Sequence, residues 1–282
     1  MVHFLYNKNK FGLIKYWNKI IDNTSPAEFY TVEAIKKYLK EDTEFEFYET
    51  EGFVTINEFA EILVLLDCNQ AACDIYQFLI KYLKGSVKLS FDSKLALKHI
   101  SIEQIACLIK TKKFEEAEDR LIKIYDEFKV EESENFYTNI QYFGLFADLY
   151  LKQNKIEQAI KMLNVVDSYI TEQGENLKDF DETFLTVVRV KIDFFFLTEK
   201  YDIAEELTIY VLDKYEINEG KMSVNYLELL IKYAELLFKN NKIEDAIARI
   251  YEADKIAGKL LGVKNKYASA ITKLKDEFQV TN

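Results

Sequence analysis

Lys155-Ile156-Glu157-Gln158-Ala159 decides the fold, because the chain repeats it. The same pattern of Lys, bulky apolar residue, acid, any residue and Ala stands at Lys113-Phe114-Glu115-Glu116-Ala117, Lys200-Tyr201-Asp202-Ile203-Ala204 and Lys242-Ile243-Glu244-Asp245-Ala246. The alanines fall at 117, 159, 204 and 246, so the intervals are 42, 45 and 42 residues. Recurrence at a nearly constant spacing is the mark of a repeat array. Each copy sits between two stretches of helical apolar periodicity, such as Tyr142 to Leu151 before and Ala159 to Val166 after. The unit is therefore a helical hairpin with the motif at its turn. Ala keeps helical propensity with the smallest side chain, so the two helices can approach closely there. The acid falls in the first turn of the second helix, where the helix dipole favours negative charge.

The rest of the chain agrees with an all-α fold. Its 282 residues include one proline and eight glycines, so little interrupts regular structure. A 49% hydrophobic and 15% aromatic composition supplies a sizeable core. Ala72 lies 45 residues before Ala117 between the apolar stretches Phe59–Leu66 and Ile75–Leu83, which marks a weaker fifth unit. Residues 259–282 read as a final helix that closes the array. In the first sixty residues, Ser25-Pro26-Ala27-Glu28 and Thr55-Ile56-Asn57-Glu58 are helix starts, and the alternation over 44–54 allows a short β-hairpin. The expected division is an N-terminal helical region over 1–54 and a repeat array over 55–282 with a C-terminal capping helix.

The formal charge of −11 opposes contact with nucleic acid or anionic membranes. Helix, helix and hairpin is the outline of a winged helix-turn-helix, but residues 41–61 carry eight carboxylates and no Lys or Arg. DNA is thus a disfavoured partner. The first residues lack an apolar leader, and no apolar run reaches the length of a bilayer, so a soluble, cytoplasmic protein is expected. Cys68, Cys73 and Cys107 form no CxxC pair, and the two histidines, His3 and His99, supply no metal site. No phosphate loop, zinc helix or nucleophile elbow is present, so neither an enzyme nor a bound cofactor is expected.

What such an array offers is the face of the first helices, expected to line a concave groove suited to a peptide or partner helix. Eleven residues before successive turn alanines stand Asp148, Asp193 and Glu235, a row of acids for a ligand carrying Lys or Arg. Arg189 is four residues before Asp193 on the same face, and Thr138, Gln141, Asn225 and Glu228 are further candidates for bonding a peptide backbone.

The unit resembles the tetratricopeptide repeat, in which a small residue stands about twelve before the turn alanine and an aromatic three after it. Ala147 and Tyr150 fit that pattern before Ala159; Ala234 and Leu237 fit it more loosely before Ala246. Ile192 with Phe195 and Ile105 with Leu108 keep its apolar character. The period exceeds the usual length of about 34 and the terminating proline is missing. The resemblance implies a right-handed superhelix of hairpins over about 95–258. Long, aromatic-rich, Lys- and Asn-rich repeats following Thr55 to Ile62 are also similar to the peptide-pheromone receptors of Gram-positive bacteria and their phages, the Rap-type and arbitrium receptors. That likeness implies capture of a short signalling peptide in quorum sensing. A scaffold without a small ligand, including one that docks a partner helix or forms a homodimer, is the alternative, and a DNA-binding regulator a third.

Overall fold

The computed structural model describes residues 68–85, 91–127, 136–173, 182–261 and 267–279, with single positions at 57, 60, 61, 63 and 64. The expected N-terminal helix starts, the hairpin over 44–54 and the boundary at 54/55 lie outside the described residues. Among the described residues every regular element is a helix. They are α1 (Asn69–Gly85), α2 (Phe91–Lys110), α3 (Phe114–Glu127), α4 (Phe136–Lys152), α5 (Ile156–Gln173), α6 (Glu182–Leu197), α7 (Tyr201–Asn218), α8 (Val224–Lys239), α9 (Ile243–Leu261) and α10 (Ala268–Gln279). The chain divides after residue 135 into two compact units. The first holds α1 to α3 and the second α4 to α10.

All four motif copies make the same turn. The residue before the motif lysine is left-handed: Lys112, Asn154, Glu199 and Asn241 have φ of 60, 58, 58 and 58°. The amide of the motif lysine donates to the carbonyl five residues back, Lys113 to Leu108 at 2.9 Å, Lys155 to Tyr150 at 2.8 Å, Lys200 to Phe195 at 2.8 Å and Lys242 to Leu237 at 2.9 Å. The left-handed residue donates to the carbonyl three back, as Asn154 does to Leu151 at 2.9 Å. This is the Schellman ending of the first helix. The lysine carbonyl then accepts the first bond of the second helix, from the amides of Ala117, Ala159, Ala204 and Ala246. Recurrence of the lysine has a further reason, since Lys155 lies over the Tyr150 ring at 5.7 Å and Lys200 over Phe195 at 6.0 Å. The ammonium thus lies over a ring in the last turn of the helix that the lysine follows.

The turn alanines are wholly buried, and the core is assembled around them. Ala159 packs with Ala147, Leu151, Leu163 and Val190 of α4, α5 and α6. Ala147 and Ala159 are the small pair expected from the repeat pattern, twelve residues apart. The fifth turn, around Ala72, shows the same two bonds: Cys68 donates to the Leu63 carbonyl at 2.8 Å, and Ala72 to the Cys68 carbonyl at 3.1 Å. Cys68 occupies the place of the motif lysine, and α1 is that hairpin's second helix.

Within the first unit, α1 packs on α2 and α2 on α3. Within the second, the hairpins α4–α5, α6–α7 and α8–α9 stack in sequence, α4 against α6 and α7 against α8. A buried Glu205 on α7 ties the last two hairpins together, accepting from Asn240 at 2.6 Å and Lys242 at 2.7 Å at the α8–α9 turn. Ser223 caps α8 by accepting from the Tyr226 amide at 3.1 Å. The closing helix is α10, later than expected, because Leu260 and Leu261 still belong to α9. It packs on α9 and α8, with Phe278 stacked on Phe238 at 4.6 Å between ring centres.

Candidate functional site

The first helices α4, α6 and α8 of the second unit carry the candidate residues. Helical periodicity sorts each helix: on α8, Leu227, Leu230, Ala234 and Leu237 are buried, while Glu228, Lys232 and Glu235 on another face keep solvent contact. Asp148, Asp193 and Glu235 do stand on equivalent turns of successive hairpins, but lysines lie between them. Lys152 reaches Asp193 at 3.3 Å and Asp148 at 3.8 Å. Lys232 reaches Asp193 from the other side at 3.5 Å and Glu235 at 3.6 Å. The result is one ladder across three hairpins, Asp148–Lys152–Asp193–Lys232–Glu235.

Each rung is partly screened from water, with side-chain exposures between 25 and 49%. Burial works against the charge of Lys152, and Asp193 with Asp148 more than offsets it, leaving its pKa above the ordinary value. Lys232 also lies over the Phe196 ring, 3.5 Å from its centre. The lysines escaped the sequence reading although a signal was there. Lys152 is four residues after Asp148 and Lys232 three before Glu235, the spacings at which helix neighbours meet.

Arg189 and Glu228 meet each other. The guanidinium donates to Glu228 Oε2 at 2.8 Å, and the Tyr267 hydroxyl donates to Oε1 at 2.6 Å. One carboxylate thereby joins α6, α8 and the entry to α10. Burial disfavours the Arg189 charge, but Glu228 and Tyr215 together hold its pKa above the ordinary value. Asn225 donates to Glu219 Oε1 at 3.1 Å across the α7–α8 connection, at the far end of α8 from the ladder. Gln141 is half-buried on α4, three turns before Lys152. Thr138 is helical, but its side chain lies outside the described residues.

Among the described residues the histidine and the buried cysteines do not converge. His99 is exposed on α2, whereas Cys107 on the same helix is buried, and burial pushes its thiol up to about 12. Cys73 is raised by the same cause. Such thiols stay protonated at neutral pH. Among the described residues no group of His, Cys, Asp or Glu is arranged to hold a metal ion, and no helix is long and apolar enough to cross a membrane.

No family model matches the chain, and no curated protein does. Among solved structures, the crystal structure of BtubC (BKLC) from P. vanneervenii is similar with a TM-score of 0.55 at 14% identity, over 75% of this chain and 85% of that one. Four matching hairpin turns, a fifth that shares two of their bonds, and this likeness settle the fold. It is a TPR-like helical solenoid. Two crystal structures of a putative kinesin light chain from Podosopora anserina with nearly identical TPR-like repeats also match, one of them of a point variant, with TM-scores of 0.46 and 0.44. The identities are 13 and 14%, over 73% of this chain and 94% of each of those. In this TPR-like chain the ladder thus occupies the first helices of successive repeats, the position from which such a stack offers one surface across several units.

Proposed function

We propose that this protein is a non-enzymatic binding protein that takes a short peptide or a segment of a partner protein along the first helices α4, α6 and α8. The observation that carries this reading is the ladder Asp148–Lys152–Asp193–Lys232–Glu235. It holds donors and acceptors of both signs, half-buried except for the more exposed Lys152 and already paired with their neighbours, so less side-chain entropy remains to be lost on binding. Three acids against two lysines leave the row one negative charge in excess, which favours a ligand with Lys or Arg. Because Asp193 is already shared by two lysines, a ligand that also brings an acid for Lys152 or Lys232 fits better than a purely cationic one. Arg189, engaged by Glu228, acts here as a support for the surface.

A signalling-peptide receptor of the Rap or arbitrium type and an assembly scaffold both use such a surface, in a cytoplasmic setting. They differ in the size of the occupant. Panning a library of 12-residue peptides displayed on phage against the protein supplies the test ligands. Selected peptides should lose roughly 1.5–3 kcal/mol, a tenfold to hundredfold loss, with Asp193→Asn, and less with Asp148→Asn or Glu235→Gln. Glu157→Gln and Glu244→Gln, on second helices, should leave binding unchanged. Equal binding to the parent and all three ladder variants would remove the ladder as the site. Failure to select any peptide, with a folded partner protein weakened by Asp193→Asn, would favour the scaffold.

A further inference from the structure

The solvent face of α7 is more apolar than those of the other second helices in its unit, where Ile160 on α5 and Tyr251 on α9 are each a single exposed large hydrophobic side chain. Its exposed positions include Ile203, Ile209 and Ile217, the last with 75% of its surface in water. Glu206 and Asp213 run between them, and Asp202 and Glu216 continue the acidic row at either end; no exposed position of α7 is Lys or Arg. Lys214 is half-buried with its ammonium over the Tyr210 ring at 5.5 Å, and Lys221 beyond the helix bridges Glu216 at 3.3 Å. Where α7 has Ile203 and Ile217, one before and thirteen after its turn alanine, α5 has Gln158 and Glu172 and α9 has Asp245 and Lys259. Exposed faces of α5 and α9 also mix the signs of charge, with Lys161 on α5 and Arg249 and Lys255 on α9.

We infer that the outer face of α7 is a second docking surface, for an amphipathic helix of a partner protein that carries an apolar seam flanked by Lys or Arg. Ile203, half-buried Tyr210 and Ile217 recur every seven residues along one edge of the face, the spacing at which a second helix can lie alongside. Ile209 borders the other edge, and the acids between await basic flanking residues. Charge also opposes a second copy of this chain. Antiparallel two-fold pairing sets like sides of the seam together, so Glu206 and Asp213 of one copy would meet those of the other, and in a parallel pair α7 has no exposed Lys or Arg to set against them. This surface is separate from the ladder, which lies on α4, α6 and α8, and the two readings stand or fall independently.

The probe is a 21-residue fluorescent peptide of three heptads with Leu at a and d and Lys at e and g, titrated by anisotropy; a Glu-flanked version is its control. The Lys peptide should bind and the Glu peptide should not. Ile203→Ser with Ile217→Ser should weaken the Lys peptide about tenfold or more, as should Glu206→Lys with Asp213→Lys, at unchanged helicity. Glu157→Lys and Glu244→Lys, on the neighbouring second helices, should bind as the parent does. Undiminished binding to the double serine variant would reduce the contact to nonspecific charge and overturn the inference. So would loss with the α5 or α9 variants, or a dimer by sedimentation that Ile217→Lys dissolves.

Discussion

Arg189 on α6 and Glu228 on α8 lie 39 positions apart in sequence and 2.8 Å apart in space, and Tyr267 binds the other oxygen of the same carboxylate. The first helices of adjacent repeats are thus joined by a polar contact between apolar layers. Glu228→Gln would leave Arg189 partly buried without its counter-charge. The expected cost is about 1.5–3 kcal/mol in urea or thermal unfolding, against roughly 0.5–1.5 kcal/mol for Tyr267→Phe. A Glu228→Gln protein as stable as the parent would show the pair to be incidental.

At Gly144 α4 lies tight against Val187 of α6. A Cβ built there would stand 2.7 Å from Cγ2 of Val187, and a buried valine has one strongly preferred rotamer in a helix. Gly144→Ala should therefore cost roughly 1–3 kcal/mol in spite of alanine's better helix propensity. Gly258→Ala, whose Cβ would meet nothing within 4 Å, should instead stabilise by about 0.5–1 kcal/mol. Opposite signs in paired melting curves are the expected result.

The left-handed turn residues make a third comparison. Asn154 and Asn241 suit φ near 58°, whereas Glu199 adopts it at a cost. Glu199→Gly should raise stability by about 0.5–1 kcal/mol, and Asn241→Val should lower it by more. If chemical denaturation ranks the two the other way, the repeated turn geometry is wrong.

Lys98, buried on α2, gives a pH signature. Burial lowers its pKa to about 8 from 10.5, so the unfolded chain binds the proton more tightly. Its penalty is fully present below about pH 8 and is relieved as pH rises from about 8 to 10.5. Lys98→Met should stabilise the protein by roughly 1–3 kcal/mol at pH 7, with the gain shrinking across that alkaline window. A gain independent of pH would mean that the lysine is solvated.

The sequence by itself determined the hairpins. A motif lysine, a left-handed residue before it and a small residue four after it act within one turn of chain, through bonds spanning three to five residues. Periodicity and propensity therefore reveal them, down to Ala147 against Ala159 and to the unit at Ala72, where Cys68 replaces the lysine. The row of acids was legible for the same reason, because equal spacing from the turn alanine means equal position on equivalent helices. Even the Asp148–Lys152 rung is a local contact, readable from its four-residue spacing. What faces each acid across the helix boundary was decided only by tertiary structure. Asp193 meets Lys152 and Lys232 on neighbouring hairpins, and Glu228 meets Arg189 and Tyr267, each 39 residues away. No local rule selects such partners, since the stacking of one hairpin on the next depends on interlocking side-chain shapes such as Gly144 against Val187. That same stacking turned three acids expected to stand open into a ladder with lysines between them, and left the isoleucines of α7 in water.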